Sequence, residues 1–263
     1  MSILPDVQNN NINGKKINKV GIREIYSEVE FNKKVIPGNF SVYVSLIDTK
    51  GIHMSRLSQV ILEKSPIKIN KEYLRGVLDE LEKRSGDFCE DYYIKVSFDY
   101  LRKVFSPVTK LEHSVRVPIK VKVEKKNKQY KFYLETKVYY TSLCPCSKEI
   151  SKYGAHNQRS EAIIVVELKD MNYFEAVHKI IDIVENNASC RIYELLKRPD
   201  EKYVTEKAYE NPRFVEDMSR RISNGLYLIL DKNIRDFSAI IGHDESIHQH
   251  QAVSFINAGR KLN

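Results

Sequence analysis

Apolar positions along this chain switch between a period of two and a period near 3.6. Residues 40–48 (FSVYVSLID) alternate and are rich in β-branched side chains, which predicts a strand. Two helical patterns follow. Over 54–63, Met54, Leu57, Val60 and Ile61 fall on one stripe, and over 71–84, Leu74, Val77, Leu78 and Leu81 fall on another. Alternation returns near Tyr92–Tyr100 and His113–Val123. A similar order then recurs, with strands near Tyr130–Tyr140 and Glu161–Leu168, helices over Tyr173–Asn187 and Pro212–Asp231, and strands near Phe237–Ile241 and Val253–Ile256. Pro212 suits a first helical turn, and Asn211 before it can act as the cap. The pattern predicts an α+β chain of two tandem β-β-α-α-β-β modules, with helices on one sheet face. The expected divisions are a flexible polar tail over 1–17, a first module over 18–126 and a second over 127–263.

With 263 residues, 42% of them hydrophobic, the chain is long enough for each module to bury its own core. No run of roughly 18 apolar residues occurs, so no membrane span is expected. The first residues (MSILPDVQNNNINGKK) lack the apolar core of a signal peptide. The cysteines Cys89, Cys144, Cys146 and Cys190 are therefore expected to be reduced, in a cytoplasmic protein. The net charge of +8 suits a polyanionic partner, whether nucleic acid, membrane surface or triphosphate. Most of the lysines are interspersed with acids, as on any solvated surface. The densest run, Lys120–Lys131, reads as a hairpin edge guarded by lysines.

Candidate chemistry gathers in a few stretches. Residues 141–160, TSLCPCSKEISKYGAHNQRS, set Cys144, Cys146 and His156 among Ser147, Lys148, Asn157, Gln158 and Arg159, between apolar strands. Thiolate and imidazole suit zinc or another borderline transition metal. The competing reading makes the cysteines small fillers, but a filler loop has no need of so many polar groups. Near the C-terminus, HDESIHQHQA holds Glu245, His248 and His250; if that stretch is extended, the two histidines face one way and can do acid–base work or bind a metal. Residues 197–217 carry Glu201, Glu206, Glu210 and Glu216 in an unpatterned charged segment. Residues 48–56, DTKGIHMSR, end a strand and start a helix whose N-terminus, with Lys50, His53, Ser55 and Arg56, can receive phosphate oxygens.

In this order, the strings KGIHMSR, LCPCSKEISKYGAHNQRS, LKRPDEKYVTEKAYENPRFVED and ESIHQHQA resemble the type IB GTP cyclohydrolases. The resemblance spans residues 50–252. It implies a tunnelling fold assembled into a barrel-like homotetramer. It implies GTP as substrate, with formate and 7,8-dihydroneopterin triphosphate as products, made with a metal-activated water at the head of folate or related pterin pathways, including those leading to queuosine. The divalent metal is zinc, or manganese or iron in its place. Residue by residue, Cys144, His156 and Glu201 match the metal ligands, and Cys144 also counts among the catalytic set with Glu245, His248 and His250. Glu216 matches the carboxylate that anchors guanine. Lys148, Arg159, His53 and Arg56 are the phosphate candidates. No membrane or nucleic-acid partner is expected. Two other readings compete. A nitrile reductase of the same architecture would need a Glu-Ser-Lys-Ser-like cofactor motif, which is not found. A basic RNA-binding module would need exposed aromatics on a sheet face, whereas the 16 tyrosines are scattered through apparent strands, where packing accounts for them.

Overall fold

A long hairpin opens the fold. Strands β1 (Ile17–Phe31) and β2 (Lys34–Leu46) pair in antiparallel register up to Phe31↔Lys34. Asn32 and Lys33 between them take φ of 50° and 62°, the left-handed conformation that a tight two-residue hairpin turn requires. The computed structural model describes residues 14–258. Residues 1–13 of the tail expected over 1–17 lie outside the described residues, while at its end Lys16 pairs with Glu90 and Ile17 opens β1. Strand β1 is absent from the sequence pattern for a physical reason. Its first ten residues are mostly exposed, and the register shifts between Ile22 and Ile25, where Glu24 has φ 62°, so alternation is blurred.

The chain groups into two compact units. One comprises residues up to 98 together with 120–133, and the other 99–119 together with 134 onward. In the first unit, β1 and β2 are followed by α1 (Met54–Glu63), β3 (Ile67–Lys68) and α2 (Lys71–Ser85), then by the first half of β4 (Tyr92–Phe105). The helices bury most of the stripes expected of them: Leu57, Val60 and Ile61 from α1, and Leu74, Val77, Leu78 and Leu81 from α2, whereas Met54, the first residue of α1, is exposed. The end of β5 (Glu112–Lys126) and the start of β6 (Gln129–Leu143) complete this unit, turning at Asn127–Lys128. Within the basic run, Lys125 is not a free guard. It is buried and held by Asp79 at 2.5 Å and Glu82 at 2.7 Å, both on α2.

The second unit takes the remaining halves of β4, β5 and β6 and adds α3 (Pro145–Ile150), β7 (Asn157–Leu168), α4 (Tyr173–Glu185), β8 (Cys190–Arg191), α5 (Arg198–Glu210), α6 (Val215–Tyr227), β9 (Ile234–His243) and β10 (Ala252–Asn257). Its strands run in the order β4-β5-β6-β7-β9-β10, with β8 paired to β6. Helix α4 buries Ala176, Val177, Ile180, Ile181 and Val184 along one face. The architecture is α+β around a large, mostly antiparallel sheet.

Two helices escaped the sequence pattern. Helix α3 is too short to show a period, and α5 buries only Asp200 and Ala208. The helix expected from Pro212 starts instead at Val215. The Asp217 carboxylate accepts the Phe214 N–H at 3.1 Å and fixes the start there, while Asn211 closes α5.

Candidate active site

Strand β6 ends at Leu143, and the next residue, Cys144, is the N-cap of α3. Its Sγ accepts the Ser147 N–H at 3.4 Å, a role more often filled by Ser, Thr, Asp or Asn. The Cys144 N–H donates to the His156 carbonyl at 3.1 Å. Ser147 Oγ donates to the Cys144 carbonyl at 3.3 Å and accepts the His156 N–H at 3.2 Å. These bonds bring the two candidate ligands side by side at the mouth of β6 and β7, although the chain wanders through α3 between them. Cys146, one residue beyond Pro145, is exposed. Burial pushes the Cys89 thiol up to about 11 and raises that of Cys190, so both are inert packing groups.

The His156 ring is held from inside the sheet. Its Nδ1 lies 2.9 Å from Gln158 Oε1, and Gln158 Nε2 donates to Ser142 Oγ at 2.9 Å. Ser142 and Ser160 share a hydroxyl hydrogen bond of 2.7 Å. Gln158, Ser142 and Ser160 are all buried.

Strand pairing brings a second set of groups alongside. Strand β7 pairs with β9 so that Ser160 faces His243, and the Asp244 N–H donates to the Arg159 carbonyl at 3.3 Å. Glu245 therefore arrives beside His156. One of its carboxylate oxygens is 3.6 Å from His156 Nδ1 and the other 4.0 Å from His243 Nδ1. His243 is 1% exposed, and its Nε2 lies 3.1 Å from the Tyr140 hydroxyl. Burial pushes His243 down to about 4, against the opposing pull of the Glu216 carboxylate on the first turn of α6. His243 is therefore neutral at pH 7. Burial also raises the Tyr140 hydroxyl above its ordinary range, so it stays protonated.

His248 and His250 lie on an exposed turn after Glu245, closed by the His248 N–H on the Glu245 carbonyl at 2.9 Å. The extended conformation considered for this stretch is not adopted. The turn nevertheless stacks the two rings, with centroids 4.7 Å apart and planes 14° from parallel.

Glu201 is exposed on the first turn of α5. Among the described residues no three His, Cys, Asp or Glu side chains converge as a metal-holding group, so Glu201 is not gathered with Cys144 and His156. The pair itself suits a borderline metal in its chemistry: a thiol and an imidazole on residues joined by a backbone hydrogen bond, with the imidazole Nδ1 already engaged and Nε2 left as the donor. Next to Glu201, Asp200 is buried and accepts from the Val108 N–H at 2.8 Å, the Thr109 N–H at 2.9 Å, the Thr109 hydroxyl at 2.6 Å and the Lys197 N–H at 3.0 Å. Burial by itself would raise this carboxyl, but those hydrogen bonds outweigh it and hold it well below the usual carboxylate range.

The candidate cations are dispersed. Lys148 donates to the Tyr209 carbonyl at 2.6 Å, with its ammonium 4.3 Å from the centre of that ring. Arg159 is exposed, lies 4.7 Å over the Tyr139 ring, and lines a cavity of about 570 Å³ together with Arg116, Lys137 and Gln251. In the first unit, His53 is the N-cap residue of α1 and Arg56 donates to the Arg84 carbonyl at 3.3 Å. Sequence reasoning counted Gln158 only among the loop's polar groups and gave no role to Tyr140 or His243, although all three are buried beside the candidate residues.

A family model described as type I GTP cyclohydrolase FolE2 matches residues 4–254. A protein of Thermosipho africanus named GTP cyclohydrolase FolE2 is 41% identical over 91% of this chain and 92% of its own length. Proteins of the same name from Azoarcus and Neisseria gonorrhoeae are 39% and 38% identical, covering 98% and 97% of this chain and 96% and 99% of their own. Among solved structures, a uricase from Arthrobacter globiformis superimposes with a TM-score of 0.58 over 100% of this chain and 98% of its own, at 7% sequence identity, a likeness of fold alone and of the tunnelling, uricase-like kind. Nearly the whole chain follows the family pattern, and the chain belongs to the type I GTP cyclohydrolase FolE2 family.

Proposed function

We propose that this chain is a GTP cyclohydrolase, hydrolysing GTP to formate and 7,8-dihydroneopterin triphosphate at the start of folate or pterin biosynthesis. The observation that carries the reading is the meeting of the half-buried Cys144–His156 pair with half-buried Glu245 and buried His243 in one corner of β6, β7 and β9. Cys144, His156 and Glu201 would hold a divalent metal, zinc or else manganese or iron, which would lower the pKa of a water so that it can attack a purine carbon at neutral pH. The protein's own groups do the rest. Glu216 accepts two parallel hydrogen bonds from the ring N–H and exocyclic amine of guanine. Protonating the imidazole nitrogen of the base makes its neighbouring carbon electrophilic. Neutral, buried His243 is a poor source of that proton, so delivery falls to the exposed pair His248 and His250, with Glu245 as the accepting carboxylate. Lys148, Arg159, His53 and Arg56 are proposed for the triphosphate.

Working as a cytoplasmic homotetramer belongs to the same proposal. It would let a neighbouring subunit supply a group, such as Glu201, that one chain's described residues do not bring to the pair. No helix among the described residues is long and apolar enough to cross a membrane. Formate release from GTP, with and without a chelator, tests the reading. Chelator-sensitive formate is expected, and an absence of formate from metal-loaded protein would refute it.

A further inference from the structure

The chain of hydrogen bonds behind His156 has a direction, and the direction carries information. Ser142 Oγ sits between Ser160 Oγ at 2.7 Å and the Gln158 side-chain amide at 2.9 Å. A hydroxyl has one proton to give, and Ser160 offers a second hydroxyl with which to share it. In the structure the Gln158 NH2, which can only donate, faces Ser142, and this turns Oε1 the other way. That oxygen, 2.9 Å from His156 Nδ1, can only accept. The Glu245 carboxylate, 3.6 Å from the same nitrogen, is a second acceptor. Every group facing Nδ1 therefore asks it to carry the proton.

We infer that Gln158 is a positioning residue, which with Ser142 as its lock holds the His156 imidazole in the Nδ1–H tautomer and keeps Nε2 as a lone-pair nitrogen ready for a metal. The inference rests on the reading of His156 as a ligand and deepens it. In free solution imidazole favours the proton on Nε2, the wrong tautomer for a ligand that binds through that atom. Gln158 is 6% exposed and Ser142 fully buried, so water cannot substitute for either amide contact at low cost. Groups that orient a metal-binding histidine in this way typically contribute roughly 10–100-fold in metal affinity.

The test uses the full chain, stripped with chelator and titrated with Zn2+ against a chromophoric competitor. A mere packing role for Gln158 predicts that Gln158→Leu, apolar and of similar size, is tolerated, and that a buried Gln158→Glu is the worse change. Positioning predicts the reverse order. Gln158→Glu keeps an acceptor toward Nδ1 and should bind Zn2+ within a few-fold of wild type, whereas Gln158→Leu should weaken it by roughly 10–100-fold. Ser142→Ala frees the amide to flip and should fall between the two, which also covers the case in which Gln158→Leu fails to fold. His156→Ala serves as the control for the underlying reading. If it loses Zn2+ while Gln158→Leu and Ser142→Ala bind as wild type, the positioning role is overturned and the ligand reading stands. Equal loss in Gln158→Glu and Gln158→Leu also overturns it. If His156→Ala binds Zn2+ as wild type, His156 is not a ligand and both readings fall.

Discussion

Replacing His243 by Gln removes a titrating group from the core and keeps one that can hydrogen-bond to Tyr140. The native imidazole takes up a proton only near pH 4, because burial opposes its charge, whereas in the unfolded chain it does so near the ordinary 6.5. Between those values the unfolded state binds a proton that the native state refuses, so acid drives unfolding. The stability that neutral His243 protects is complete above pH 6.5, declines as pH falls, and has been lost by about pH 4. The gap is worth roughly 3 kcal/mol at 1.36 kcal/mol per pH unit. His178, which burial also lowers, is common to both proteins and cancels in the comparison. The assay is urea unfolding of chelator-treated protein at pH 8 and pH 4.5. Over that interval wild type should lose roughly 2.5 kcal/mol more than His243→Gln. Parallel pH profiles for the two proteins would refute the reasoning, since they would mean that His243 titrates in the folded chain as it does in water.

Three further outcomes follow from the proposed site. Cys144→Ala should lower both metal content and formate release while leaving the fold intact, because α3 keeps its other hydrogen bonds; full metal occupancy by elemental analysis would count against the ligand set. Glu216→Gln should weaken GTP binding by roughly tenfold or more, because a donor then faces a donor at a cost on the order of 1–3 kcal/mol, with metal content unchanged; calorimetry with GTP measures it. His248→Ala and His250→Ala should bind metal normally and turn over roughly a hundredfold more slowly, the usual contribution of a positioned acid or base. Loss of metal from either would move these histidines into the coordination shell.

Helices α1, α2 and α4 were legible because each buries one regular stripe, and the long strands because their inward faces alternate. The same alternation held more than was taken from it. Phe237, Ala239 and Ile241 point inward, and His243 continues their period as a buried polar group. Likewise Ala162, Ile164 and Val166 are preceded in phase by Ser160 and Gln158. A polar residue in register with a core face needs a buried partner, and that is the signal by which these residues could have been found. Helix α5 was hidden for the opposite reason: its sides are charged and solvated, and only Asp200 and Ala208 face inward. The proximity of Cys144 to His156 depends on Ser147 and on backbone bonds, which leave no trace in residue type.

The buried Asp200 has a consequence for anyone who would retune this protein. In the string RPDEKY two neighbouring acids look interchangeable, yet the first is riveted to the β4–β5 turn through Val108 and Thr109 while the second stands in solvent. The helix that carries Glu201 is thus moored at its first turn by a residue whose carboxylate is spent on hydrogen bonds to Val108, Thr109 and Lys197. A library that randomises Glu201 to test its proposed role toward a metal can vary that side chain freely on a stationary platform. One that randomises both positions together would cut the mooring in most of its members and misread a lost foothold as a lost ligand.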